Sequence, residues 1–366
     1  MCGLYDTGIQ EEWVMSEVMV RAGDRLSALT ETLAGEAVER QYGRRPDLLA
    51  RWGEQGKSRC REDAVSHLSY LAQALRVEEP SLFSDYLAWV KVLFRSLQIP
   101  DGDLMENLRI LKELVQESLS FEEARAAGEI LDEGMRAFPG LSGESPCFLE
   151  GSDDLVGTAR RYLDFLLAGD RRGAVSLILE AAEGGVPIRN LYLSVFQPVQ
   201  REIGRLWQTG KITVAQEHFC TAATQLAMSQ LYPRLFTGER KGRRLLAACV
   251  SGELHEIGLR MVADFFEMEG WDTYFMGAST PAEGLIRTLE EQDIHVLAIS
   301  ATITPHVDRV KNLVEKVRAH PYGRKVRILV GGHPFNEAPG LWRKLGADGS
   351  ATTASGAVQT ALSLLS

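Results

Sequence analysis

Residues 245–258 have the sequence LLAACVSGELHEIG, in which an apolar run is followed by a glycine-bearing loop and the start of an amphipathic helix. Further apolar runs begin at Thr273, Val296 and Val326, and each is followed by a helical segment. Alternating strands and helices joined by short loops predict a parallel, doubly wound sheet of the flavodoxin-like type. Ligands of such sheets bind beyond the carboxyl ends of the strands, so we expect the informative loops to follow the first, third and fourth runs.

Those three loops carry polar residues and glycines at a defined spacing. The first has the pattern E-x-H-x-x-G, the second S-x-T and the third a glycine pair, with 41 residues between the first two sets and 28 between the last two. An acidic residue near a histidine is common on any loop, so the prediction depends on all three sets together. The residues are Glu253, His255, Gly258, Ser300, Thr302, Gly331 and Gly332.

This pattern resembles the cobalamin-binding domains of the methionine synthase and corrinoid-protein type, with D/E-x-H-x-x-G, S-x-L and G-G. The resemblance implies that His255 replaces the cofactor's own base as the lower ligand of cobalt, a role that suits a neutral imidazole. It also implies that Glu253 accepts a hydrogen bond from the other ring nitrogen, and that Ser300 extends this relay or contacts the displaced tail. Thr302 stands where the family has leucine, which we expect to alter tail packing more than metal ligation.

Further expectations concern the glycines and the other histidines of this region. Gly258, Gly331 and Gly332 are expected to leave room for the detached nucleotide tail, because close approach to the backbone demands glycine. Three histidines lie near the same strands without belonging to the pattern. We expect His306 and His333 to be surface or capping residues, with contact to the tail or a phosphate as the alternative. His295, which precedes a strand, is expected to serve in packing.

The chain before residue 243 is predicted to be helical. Apolar residues recur at three-and-four spacing in the first part, and turn formers are dense at 138–146. Four helical segments with short connections follow and predict a small bundle. We therefore expect an all-helical domain at 1–140, a four-helix cap at 150–235 and the sheet domain at 243–366.

The cap contains Trp207 followed nine residues later by Glu217 and His218. An aromatic ring at the end of one helix and a polar pair early in the next can face the same space. This W-x(9)-E-H motif resembles that of the CarH-type cobalamin photoreceptors, where it surrounds the 5′-deoxyadenosyl group. The resemblance implies that Trp207 packs on the adenosyl group, with Glu217 and His218 near its ribose or adenine. Gln208 stands where those repressors often carry a histidine that binds cobalt after illumination.

Residues 1–140 differ from the short, basic DNA-binding domain of those repressors and are compatible with a globin-like sensor fold. His67 shares a helix face with Ala64, Leu71 and Ala74, so it is predicted to point inward. It is either a core histidine or a contact to a tetrapyrrole. The architecture resembles the photocobilins, which pair cobalamin with biliverdin; haem is the alternative ligand. Candidate partners for propionates are Tyr42, Arg44, Arg45, Arg59 and Arg61.

These resemblances imply a light-sensing protein and not an enzyme. Light would break the cobalt–carbon bond of adenosylcobalamin, the cap would lose its contact, and conformation or oligomeric state would change. Biliverdin would be a second chromophore. The alternative is a corrinoid methyl carrier of a methyltransferase system, and a third possibility is a light-insensitive, cobalamin-responsive adaptor.

Composition limits the partners and the compartment. The net charge is −10, with 40 basic and 50 acidic residues, so we expect no direct binding of nucleic acid. Neither a long apolar run nor a signal peptide is apparent, which predicts a cytoplasmic protein without a membrane segment. The 5 cysteines are scattered without a C-x-x-C pair, which argues against disulfides and structural zinc. We expect a light-dependent homo-oligomer and a signalling partner that the sequence does not identify.

Overall fold

The computed structural model describes residues 6–151, 154–235 and 239–366, with side chains from residue 15 onward. The chain forms two compact units, Met1–Gly143 and Glu144–Ser366. In the described ranges, every helix is too short or too polar to span a bilayer.

The first unit is helical, as the sequence predicts. Its longest helices pack along one another and bury apolar residues at three-and-four spacing, such as Leu68, Leu71 and Leu75. Its last helix starts at a capping box, in which Ser120 and Glu123 bond each other's backbone amides. The helices are α1 (Asp6–Arg44), α2 (Asp47–Arg76), α3 (Ser81–Ser96), α4 (Asp101–Ser118) and α5 (Phe121–Ala137).

The second unit begins with the helical cap. One predicted helix, Ile188–Trp207, is interrupted by a five-residue π-helical turn at Tyr192–Phe196, which residue spacing did not reveal. A capping box formed by Thr213 and Gln216 fixes the start of the last helix. The helices are α6 (Val156–Leu167), α7 (Arg171–Glu183), α8 (Ile188–Leu191), α9 (Gln197–Gln208) and α10 (Val214–Leu231).

A five-stranded parallel sheet with the order β2-β1-β3-β4-β5 follows the cap. The predicted α/β fold is confirmed, and a two-residue edge strand that the sequence did not indicate is added. The strands are β1 (Arg244–Cys249), β2 (Asp272–Gly277), β3 (Val296–Ser300), β4 (Arg327–Gly331) and β5 (Gly349–Ser350). The helices are α11 (Ile257–Met268), α12 (Ala282–Glu291), α13 (Val307–Ala319), α14 (His333–Glu337), α15 (Leu341–Lys344) and α16 (Ala354–Leu365).

The register of the sheet brings the three predicted loops together. Cys249 pairs with Ser300, and Ser300 pairs with Gly331. The loops that follow β1, β3 and β4 therefore leave the sheet side by side at one edge.

Cap and sheet share one hydrophobic core within the second unit. Tyr192 and Phe196 of the cap pack with Phe265 of α11. The Tyr192 hydroxyl donates a hydrogen bond of 2.6 Å to the buried carboxylate of Asp264. This packing fixes the cap against α11, the helix that follows β1.

Candidate functional site

Glu253, in the loop after β1, contacts the loop after β3, and its side chain is fully buried. Its Oε1 accepts from the backbone amide and from Nδ1 of His255, at 3.0 and 2.6 Å. Its Oε2 accepts from the amides of Thr302 and Ile303, at 2.7 and 3.4 Å, and from Nδ1 of His306 at 3.0 Å. Burial raises the pKa of this carboxyl, but the hydrogen bonds from His255, His306 and Thr302 outweigh it and hold the pKa well below its usual range. Glu253 is therefore an anion that accepts from both histidines.

This anion fixes the state of the His255 ring. An ionised carboxylate only accepts hydrogen bonds, so Nδ1 of His255 carries a proton and Nε2 of the neutral ring keeps its lone pair. The hydrogen bond to Glu253 raises the pKa of His255, against the opposing effect of burial. The His255 side chain is 62% exposed and the adjacent Leu254 is 71% exposed. The arrangement suits a metal ligand directed away from the protein.

The loop after β3 donates hydrogen bonds to Glu253 from groups that the sequence motif did not identify. The backbone amide of Thr302 donates to Glu253. A leucine at this position, as the family has, could make the same contact. The expectation of a surface or capping role was wrong for His306: it occupies the N-cap position of α13, yet its ring is buried against Glu253 and does not cap the helix. Ser300 is not among the donors to Glu253, so contact with the tail remains the prediction for its hydroxyl.

The three glycines have different structural reasons. Gly332 adopts a φ of +113°, and a Cβ there would lie 1.9 Å from the carbonyl oxygen of Ala301. A Cβ on Gly331 would meet only ordinary contact with Ala351, at 3.6 Å, and one on Gly258 would meet nothing within 4 Å. Backbone conformation thus requires glycine at 332, whereas Gly258 borders open space that a cofactor tail could fill.

The W-x(9)-E-H motif extends from the last turn of α9 to the first turn of α10 in the cap. Trp207, in the last turn of α9, is 37% exposed. Glu217 accepts from Nδ1 of His218 at 2.5 Å and from the hydroxyl of Thr221 at 2.9 Å. The His218 side chain is 74% exposed. The charge of Glu217 contributes to the raised pKa of His255, so Glu217 lies within electrostatic range of that ring.

His67 is buried in the first unit, as its helix face predicts. Its Nδ1 lies 2.7 Å from the hydroxyl of Tyr86, and Tyr86 stacks on Tyr70 with ring centroids 3.8 Å apart. Burial lowers the pKa of His67 to about 3, so the ring is neutral. Tetrapyrrole contact by His67 stays a prediction.

Three of the arginines considered as propionate partners have acidic partners already. Arg44 pairs with Glu113 at 2.5 Å, Arg45 with Asp47 at 2.8 Å and Arg61 with Glu31 at 2.7 Å. Binding a propionate would require these exposed pairs to exchange. Such pairs contribute little to stability, so exchange costs little.

Comparison with known families identifies the chain as a cobalamin-binding protein. Residues 158–232 and 243–359 each match a B12 binding domain, the first on the cap and the second on the sheet domain. The Glu253–His255 pair, the exposed ring edge and the open space beside Gly258 fit such a cofactor. Residues 7–138 match the phycobilisome protein model.

Curated relatives are corrinoid proteins at low identity. Dimethylamine corrinoid protein 3 of Methanosarcina acetivorans is 25% identical over 214 residues, which are 58% of this chain and 99% of the relative. A corrinoid protein of Desulfitobacterium hafniense is 27% identical over 169 residues, 44% of this chain and 76% of the relative. The solved monomethylamine corrinoid protein of Methanosarcina barkeri shares the fold, with a TM-score of 0.50 and 21% identity over 56% of this chain and 96% of that one.

Proposed function

We propose that the second unit carries cobalamin between His255 and the cap, and that it serves as a corrinoid carrier in methyl transfer. The observation that carries this proposal is the buried Glu253 anion, which leaves Nε2 of His255 free to ligate a metal. Curated relatives favour methyl carriage over light sensing, because the dimethylamine corrinoid protein aligns over 99% of its length. The protein would be a carrier and would depend on separate methyltransferases.

Bound cobalamin would supply a cobalt centre whose upper ligand is either a methyl group exchanged with substrates or an adenosyl group released by light. The residues of the sheet domain would have the same tasks in both cases. His255 would hold the metal, Glu253 would orient His255, and Gly258 would leave space for the tail. The two functions differ in what Trp207 and its neighbours do above the cobalt.

A carrier must admit a methyl donor from the cap side. The exposure of Trp207 and His218 leaves this face open to a partner protein. For a carrier we expect similar affinities for methylcobalamin and adenosylcobalamin in the dark, and little effect of Trp207→Ala on their ratio. Equilibrium binding of both cobalamins to the full chain tests this. At least tenfold tighter binding of adenosylcobalamin, lost in Trp207→Ala, would contradict methyl carriage.

Light sensing is the second candidate, and two observations favour it. Residues 7–138 match the phycobilisome protein model, whereas the relatives align to only 44–58% of this chain. The charge of Glu217, in the W-x(9)-E-H motif, acts on His255, which supports a polar group near the proposed cobalt ligand. In this function the contacts of Trp207, Glu217 and His218 differ between dark and light and shift the oligomeric state.

Illumination separates the two functions directly. The full chain is loaded with adenosylcobalamin in darkness, and its spectrum and elution volume are compared before and after green light. A sensor changes its elution volume, and the change is absent from Trp207→Ala. A methyl carrier loses the adenosyl absorbance while its elution volume stays the same.

The phycobilisome match also favours biliverdin over haem as a ligand of the first unit. The full chain produced in the presence of biliverdin should acquire a red absorption band. The same chain produced in the presence of haem should show no Soret band. His67→Leu should shift or abolish the bilin band if His67 contacts the tetrapyrrole. An unchanged band in that variant would restrict His67 to its contact with Tyr86.

A further inference from the structure

His306 ends the short helical turn Thr304–His306, at the start of α13. Its ring is 8% exposed, and its Nδ1 lies 3.0 Å from Oε2 of Glu253. The carboxylate thereby joins two imidazoles, one exposed on the loop after β1 and one buried on the loop after β3. His306 is not part of the E-x-H-x-x-G, S-x-T and G-G pattern.

The two oxygens of Glu253 have separate partners. Oε1 accepts hydrogen bonds from the amide and the ring of His255. Oε2 accepts from two backbone amides and from His306. Among the residues that the structure describes, His306 supplies the one side-chain donor to Oε2. The terminal torsion of a glutamate is broad, so every donor on either oxygen helps to fix the plane of the carboxylate.

We propose that His306 is a positioning residue for the cobalt ligand: it holds the carboxylate of Glu253 in the rotation that presents Oε1 to His255. This inference rests on the proposed corrinoid function and deepens it. Without His306, Oε2 keeps its two backbone amides but loses the one side-chain donor that the described residues supply, so the plane of the carboxylate is less firmly fixed. The Nδ1–H form of His255, which leaves Nε2 for cobalt, would then no longer be enforced.

Three substitutions separate positioning from packing. His306→Leu replaces the ring by an apolar side chain of similar size and so removes the donor. His306→Asn places an amide N–H near the position of Nδ1, whereas His306→Gln places it near that of Nε2. His320→Leu, at the other end of α13, is the control for loss of a histidine from this domain.

The first measurement needs no cofactor. Nitrogen NMR of the ring in the apo full chain reports which nitrogen of His255 carries the proton. We expect the Nδ1–H form in the unsubstituted chain, His306→Asn and His320→Leu, and a mixture of forms in His306→Leu and His306→Gln. Melting temperatures, measured alongside, show whether a variant is folded.

The second measurement uses hydroxocobalamin as the probe. We expect about tenfold weaker binding for His306→Leu, the lower end of the effect of outer partners on metal affinity, and recovery in His306→Asn. Electron paramagnetic resonance of the reduced, cobalt(II) form should show the splitting from an axial imidazole nitrogen weakened in His306→Leu and restored in His306→Asn.

Distinct results overturn the inference and the function on which it rests. An unchanged His255 tautomer in folded His306→Leu overturns positioning by His306. If His306→Leu does not fold, equal tautomer mixtures in His306→Asn and His306→Gln overturn it instead. Failure of the unsubstituted chain to bind hydroxocobalamin overturns the corrinoid function, while the NMR measurement still decides the role of His306.

Discussion

Gln225 of the cap donates a hydrogen bond of 2.5 Å to Glu256, the residue that follows the proposed cobalt ligand. Glu256 also accepts from the amide of Ala278, in the loop after β2, at 2.8 Å. Gln225 lies eight residues after Glu217, on the same face of α10. One helix therefore carries part of the upper motif and a direct link to the His255 loop.

Replacing Gln225 should loosen this link. We expect Gln225→Ala to lower the free energy of unfolding by about 2 kcal/mol, because the hydrogen bond is made to a partly buried carboxylate. Ser229→Ala, which removes an exposed link between α10 and Arg260, is the matched control and should cost about 0.5 kcal/mol or less. Urea denaturation measures both, and equal effects would show that the Gln225 bond has no special weight.

Gly332 and Gly331 should respond differently to alanine. Gly332→Ala forces a left-handed conformation and a contact with the carbonyl of Ala301, so we expect it to lower the free energy of unfolding by about 2 kcal/mol or more. Gly331→Ala has space and should change it by about 0.5 kcal/mol or less. Urea denaturation of the two variants tests this, and similar losses would contradict the assigned reason for Gly332.

Gly258→Ala should act on binding and not on folding. Its added methyl group enters open space, so the melting temperature should stay close to that of the unsubstituted chain. If that space holds the cofactor tail, hydroxocobalamin should bind about tenfold more weakly, which corresponds to about 1.4 kcal/mol. Unchanged affinity would place the tail elsewhere.

Stability should depend on pH through Asp264. Burial raises the pKa of this carboxyl to about 6, against the lowering effects of Tyr192 and Arg260. The folded state binds this proton more tightly than the unfolded state does. The contribution of Asp264 to stability is therefore fully present below about pH 4 and is lost as the pH rises from about 4 to 6. Asp264→Asn should therefore gain up to about 3 kcal/mol at pH 7.5 and little at pH 4.

Tyr192→Phe provides the opposite test of this pair. It removes the donor from a buried carboxylate, so it should destabilise the folded state more at pH 7.5 than at pH 4. Urea denaturation at the two pH values measures both variants. A pH-independent effect of Asp264→Asn would contradict the raised pKa.

His67 predicts the opposite pH dependence in the first unit. Its pKa is lowered to about 3 by burial, whereas an unfolded histidine titrates near 6.5, so its contribution to stability is present above about pH 6.5 and lost as the pH falls. At pH 5 the loss is about 2 kcal/mol. Hydrogen exchange of the α2 amides should show this loss in the full chain and a smaller one in His67→Gln. His320→Gln, on a partly exposed histidine of the other unit, should leave α2 unchanged.

The sequence predicts the edge of the sheet at which the site lies, because the succession of strands and loops is read along the chain and the loops after parallel strands leave at one edge. Glu253 and His255 are two residues apart, so their contact also follows from the motif. His306 could not be found in this way, since its direction depends on how the loop after β3 approaches Glu253 in the folded chain. A histidine four residues after Thr302, at the start of a helix, was the available signal.

In the cap, too, some features could be predicted from the sequence and others could not. Turn residues predict its helices but not the π-helical turn at Tyr192–Phe196, in which Tyr192 packs on Phe265 of α11. The proximity of Glu217 to His255 likewise depends on how cap and sheet pack, and no spacing within the chain encodes it.

The π-helical turn has a consequence for Trp207. A helix advances about 100° per residue, and a π-helical turn takes up one extra residue without that advance. Trp207 therefore lies about 100° around the helix axis from where an unbroken α-helix of the same residues would place it. The direction in which this ring faces is thus set about three turns upstream, by one surplus residue between Tyr192 and Phe196.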